Sequence, residues 1–133
     1  MDSIYKTTSQ VENFFSMLLT KAGISKNLFI GSMPATVDSG WKDMVLVNVL
    51  SMRDYDAYAQ GSANVFLYAK SVDSRGTKPV KALYEMEIAL DKVIKGCNDR
   101  HYVIDVNFRD ADYDQNRNYY YNVINIGITV RNI

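Results

Sequence analysis

Several things that usually announce a function are missing or nearly missing from this chain. There is one cysteine and one histidine in 133 residues, so an intrachain disulfide is impossible and a zinc site of the structural kind cannot be assembled from these two residues. A lone cysteine fits a reducing compartment, and on that ground the cytoplasm is favoured. Lysine and arginine number 15 against 15 aspartates and glutamates, so the basic electrostatic footprint of a nucleic-acid or anionic-membrane binder is absent. No apolar run approaches the length of a membrane span, and Met1, Asp2, Ser3 and Ile4 do not form the basic start of a signal peptide. Glycines at 61, 76 and 96 are isolated, which excludes a dinucleotide or Walker-type phosphate loop, and no serine stands in a nucleophile elbow. A soluble single domain spanning 1–133, with no nucleic-acid or membrane partner, is the expectation.

What the chain does have is apolar content of 47 %, enough for one core at this length, and ten tyrosines beside one tryptophan and five phenylalanines. Tyrosine joins a large apolar ring to a polar tip, which suits surfaces that become buried on association. It also has high strand propensity, so tyrosines simply decorating sheet faces is an equal reading.

Periodicity divides the chain into seven elements. Ser9 followed by Glu12 has capping-box spacing, and Val11, Phe14, Phe15, Leu18, Leu19 and Ala22 share one helical face before Gly23. Asn27 to Gly31 reads as a short strand. Pro34, Asp38, Ser39 and Gly40 mark a loop carrying Trp41, long enough to move or to touch a partner. Met44 to Met52 is a valine-rich run suited to a strand buried on both faces, central in a sheet. Arg53 to Gly61 reads as a polar connection with one helical turn, and Ala63 to Val72 as an alternating strand ended by Asp73, Ser74, Arg75 and Gly76. Pro79 opens a second helix with Leu83, Met86, Leu90, Val93, Ile94 and Cys97 on its stripe, Lys81, Glu85, Lys92 and Lys95 opposite, and Gly96 at its end. Tyr102 to Phe108 alternates; after a polar stretch from Arg109 to Asn118, so do Tyr120, Ile124, Ile126, Ile128 and Val130, and the two strands are expected to pair as a hairpin. Both helices need their stripes covered, most simply by one sheet. The predicted fold is a two-layer α+β sandwich, a mixed but mostly antiparallel sheet of about five strands with two helices in the order α-β-β-β-α-β-β. A ferredoxin-like split βαβ arrangement is the competing topology.

Candidate chemical sites fail on spacing. Asp110, Asp112, Asp114 and Asn116 imitate the alternating oxygen ligands of a calcium loop, but the sixth loop position is Gln115 where a glycine must turn, and the twelfth is Tyr121 where a bidentate glutamate belongs. Cys97 and His101 are four apart, yet the thiol continues an apolar stripe and reads as a small core side chain. Glu85 and Glu87 point in different directions on their helix, so they do not cooperate as an acid–base pair. Arg75, Lys78 and Lys81 cluster at a helix start and read as a solvated end. No enzyme, metal or cofactor is expected. Tyr119, Tyr120 and Tyr121 place rings on both faces of a strand, and with three aspartates nearby, protein contact is favoured over base stacking. Trp41, Tyr55, Tyr113, Tyr119 and Tyr121 are therefore the candidate protein-interface residues.

The element order carried by Val11 to Ala22, Met44 to Met52, Ala63 to Val72, Val80 to Cys97 and Tyr102 to Val130 resembles the tail terminator and tail-completion proteins of long-tailed bacteriophages and prophages. The resemblance lies in layout and transfers no functional residue. It implies a small α+β structural subunit made in a bacterial host cell and incorporated into a virion, forming a homo-oligomeric ring, commonly a hexamer, between tail tube and head-completion proteins. A small adaptor or inhibitor module using an exposed sheet edge is the alternative.

Overall fold

A computed structural model describes residues 7–38, 40–71, 73, 75–97 and 101–131. The readings placed on Met1 to Ile4, Ser39, Val72 and Ser74 lie outside the described residues. Two helices, α1 (Thr8–Ala22) and α2 (Val80–Cys97), pack on a mixed sheet of β1 (Leu28–Ile30), β2 (Asp43–Asp54), β3 (Tyr58–Lys70), β4 (Tyr102–Asp114) and β5 (Tyr119–Arg131). The order across the sheet is β1-β2-β3-β5-β4, with β1–β2 parallel and every other pair antiparallel. The expected α+β class, element order and mostly antiparallel sheet are thus present, and the terminal hairpin forms with β5 inserted between β3 and β4.

Local chemistry sets the helix ends. α1 is capped two residues earlier than Ser9 predicted: the Gln10 backbone N–H donates to the Thr7 hydroxyl and the Thr7 N–H to the Gln10 side-chain oxygen, each at 3.1 Å. Ser9 therefore lies inside the helix. Both candidate boxes leave the same apolar stripe in place, and the earlier one closes two orphan donors. At the other end Gly23 takes φ +67° and its N–H reaches the Leu19 carbonyl, the left-handed cap that glycine enters without penalty. α2 runs past Gly96 to Cys97.

Two stretches read as loops are ordered differently. Arg53 to Gly61 is not a connection with a helical turn: β2 and β3 continue through it and only Tyr55 to Ala57 turn, with Asp56 at φ +70°. Arg109 to Asp114 is likewise strand, so the polar loop shrinks to residues 115–118. The cause is position, since β4 lies at the sheet edge and its outward side chains need no hydrophobic alternation to stay extended. β2 is an inner strand, but the centre of the sheet is β3.

The helix-side core gathers Val11, Phe15 and Leu19 from α1, Leu83, Met86, Leu90 and Ile94 from α2, and a layer including Val45, Val47, Val65, Leu67, Ile124, Ile126 and Ile128. Arg109 on β4 joins α2 to the edge, donating to Glu87 at 3.1 Å and Asp91 at 2.9 Å, and Asn122 on β5 donates to the other Glu87 oxygen. That double engagement of Glu87 fixes which side of α2 borders β4.

A β-bulge between Val49 and Ser51 makes β2 veer, and it presses the Ser51 carbonyl onto β3 where Gly61 sits. A Cβ at Gly61 would collide with that backbone oxygen, so only glycine keeps β2 and β3 in register there. Gly61→Ala is expected to destabilise the fold by about 1–3 kcal/mol through forced backbone displacement, read as a lower urea midpoint; Gly96→Ala, with open space around its Cβ position, is the control expected to lack that loss.

Candidate interaction surfaces

The outer face of the sheet is not uniformly open. Because parallel strands cannot be joined by a tight turn, the chain after β1 must cross over to begin β2, and the described residues 31–38 and 40–42 lie over the outer face. Met44, Leu46, Tyr68 and Tyr119 are buried there, with Phe29, Met33, Val37, Trp41, Phe66 and Tyr121 packed around them. The loop read as long enough to move or to touch a partner is tied to the sheet: Gly40 N–H donates to Asp38 Oδ1 at 2.8 Å, Trp41 N–H to the Asp38 carbonyl at 3.0 Å, and the Tyr119 hydroxyl to the Trp41 carbonyl at 2.6 Å.

The five candidate interface aromatics do not converge. Trp41, Tyr119 and Tyr121 belong to this second core, and Tyr119, only 1 % exposed, presents no surface of its own. Tyr113 lies on the opposite, helix-side face; its ring meets Tyr120 with centroids 4.4 Å apart and its hydroxyl donates to Asn118 Oδ1 at 2.6 Å. Tyr55 sits at the far end of the sheet in the β2–β3 turn, stacked on Tyr58 at 5.1 Å, and is half exposed.

Burial raises the Tyr68 pKa to about 12, with the neighbouring Tyr121 and Asp114 adding to the effect. Tyr119 is also raised, by burial first and then by Asp38 and Asp43, and Tyr121 by burial, Asp112 and Asp114. Three phenols packed among carboxylates hold their protons because a phenolate there would be both desolvated and repelled.

Beyond the crossing loop the outer face turns polar. Asn125 donates to Asn64 at 2.7 Å and accepts from Asn107 at 2.9 Å, forming a side-chain ladder across three strands. Beside it lies a shallow groove of about 440 Å³ lined in part by Ser51, Arg53, Gln60, Asp105 and Thr129. Asp110, Asp112 and Asp114 are not a loop converging on a cation. They alternate along an extended strand and so stand in a row about 7 Å apart, with Asp114 engaged by Arg117 at 3.0 Å and by the turn amides of Asn116 and Arg117. Among the described residues no group of three or more histidine, cysteine, aspartate or glutamate side chains could hold a metal ion, and none of the described helices is long and apolar enough to cross a membrane. Cys97 directs its thiol to the Ile94 carbonyl at 3.2 Å, while His101 Nδ1 lies 3.2 Å from the Arg131 carbonyl.

The chain matches no family model and no curated protein sequence.

Two surface features were not anticipated from sequence. Val80, Tyr84 and Ile88 are exposed at 64, 63 and 42 %; their spacing of four puts them in one stripe along α2, a signal hidden by the intervening charged residues. β4 exposes every residue from Asp105 to Asp112, including Phe108, and Leu50 stands out at the β2 bulge.

The phenol cluster gives a pH test. Tyr68 keeps its proton in the folded chain up to about pH 12, whereas an unfolded tyrosine loses it near 10, so folding binds a proton in that window and stability falls as pH rises through it. Tyr68→Phe is expected to flatten this part of the stability profile, measured by urea unfolding at intervals from pH 9 to 12.

Proposed function

We propose that the chain is a structural subunit that assembles with copies of itself into a ring, in the manner of the tail terminator and tail-completion proteins it resembles. The single observation that supports this reading most is that the sheet ends in two unlike open edges. On one side β1 covers β2 only at Val45 to Val47; on the other, β5 is the one strand pairing with β4 among the described residues. A two-fold dimer uses the same patch twice, whereas two different complementary patches generate head-to-tail contacts that close into a ring when the rotation permits. The α+β scaffold contributes rigidity.

The long open β4 edge also favours a second reading, an adaptor that takes an extended segment of another protein as an added strand. Self-assembly separates the two. Light scattering after size exclusion across a concentration series, with electron microscopy of the largest species, is expected to show closed rings that cap tail tubes. A protein that stays monomeric throughout and leaves tail tubes uncapped overturns the ring reading, and a one-to-one complex with a different protein would then support the adaptor.

A further inference from the structure

We infer that the joint between copies is a strand-to-strand junction in which the β4 edge of one protomer receives the bulged end of β2, from Asn48 to Arg53, of the next. This rests on the ring reading and specifies its interface. The first support is direction. β2 is antiparallel to β3, β3 to β5 and β5 to β4; after three reversals β4 runs opposite to β2. A second copy set beside the first in the same orientation therefore offers its β2 antiparallel to β4, so the ladder continues and all helices stay on one side of the sheet.

The second support is charge. On the outer face β4 presents Asp105, Asp110 and Asp112, all exposed. Two copies joined through β4 alone would set these rows against each other, and like charges facing across strands destabilise the pair. The open end of β2, from Asn48 to Arg53, carries no acidic side chain on that face; it carries Ser51 and the exposed Arg53. Arg53 thus brings a cation to the exposed aspartates, while those aspartates act against self-pairing of β4.

The third support is the wall behind the slot. Glu87 and Asp91 hold Arg109 of β4, so the neighbouring α2 stripe of Val80, Tyr84 and Ile88 flanks the same edge with exposed apolar surface. A strand added at β4 has its helix-side residues covered by that stripe, and Leu50 and Val106, both exposed in the single chain, belong to the two segments that the junction buries. The bulges at Leu50 on β2 and Asn107 on β4 restrict pairing to matching registers, which favours one partner over many.

Charge exchange tests the junction. With the assembled wild-type protein as reference, Arg53→Glu alone and Asp105→Lys with Asp110→Lys are each expected to raise the concentration for half-assembly by about tenfold or more. Combining all three changes in one chain should restore assembly toward wild type. In hydrogen exchange, amides between Val106 and Tyr113 are expected to gain protection on assembly; circular dichroism verifies that each variant folds. Rings that form equally well in every variant, or that leave these β4 amides unprotected, overturn the junction and leave the ring reading standing. A wild-type chain that never self-associates removes both.

Discussion

The structure depends on β5 lying between β3 and β4. All thirteen of its residues pair with β3 and nearly all also pair with β4, so a single strand carries the hydrogen bonding of more than half the sheet. Its helix-side residues Ile124, Ile126, Ile128 and Val130 are buried and belong to the core between the sheet and the two helices. At 20–33 cal/mol per Å² of apolar area, each such side chain contributes on the order of 1.5–3 kcal/mol, and a shift of one residue would turn all four into solvent. Register here is therefore strongly specified, and everything else is arranged around it.

Inserting β5 has a second effect: it moves β4 outward. The strand that follows α2 becomes the edge, held on the helix side by buried Ile104, by Tyr102 stacked on Phe14 and by the Arg109 grip on Glu87 and Asp91, and laterally by β5. At the opposite margin the parallel β1 is only three residues long, so it shields one end of β2 and leaves the other open. The same β1 forces the crossing that lays residues 31–38 and 40–42 over the outer face, which converts half of that face into a small aromatic core and leaves the other half as a polar ladder of Asn64, Asn125 and Asn107. The molecule is thereby polarised in two senses, one edge against the other and one half of the outer face against the other, and such asymmetry is what a head-to-tail assembly requires.

Much of this was legible from residues alone. The stripes of Val11, Phe15 and Leu19 and of Leu83, Leu90 and Ile94 announce the helices, and the alternation from Tyr120 to Val130 announces β5, because burying one face imposes a period that survives any choice of neighbour. Strand lengths were not legible where one face is solvated: Arg109, Asp110, Ala111 and Asp112 have loop-like composition and are nonetheless extended, since an edge strand is held by its partner's backbone. The tyrosines show the same limit. Their number suggested contact surfaces, yet Tyr119 and Tyr121 pack inside the chain's own second core, a fate set by a loop some eighty residues earlier in sequence.

By itself, then, the sequence determined the class, the order of elements and the inward faces, because hydrophobic periodicity is a local property written every two or every 3.6 residues. Only the tertiary structure decided which strands became edges, which tyrosines were used up internally, and that Val80, Tyr84 and Ile88 line the same margin as the aspartates of β4. Those are relations between residues far apart in the chain, and they exist only once β5 has taken its place between β3 and β4.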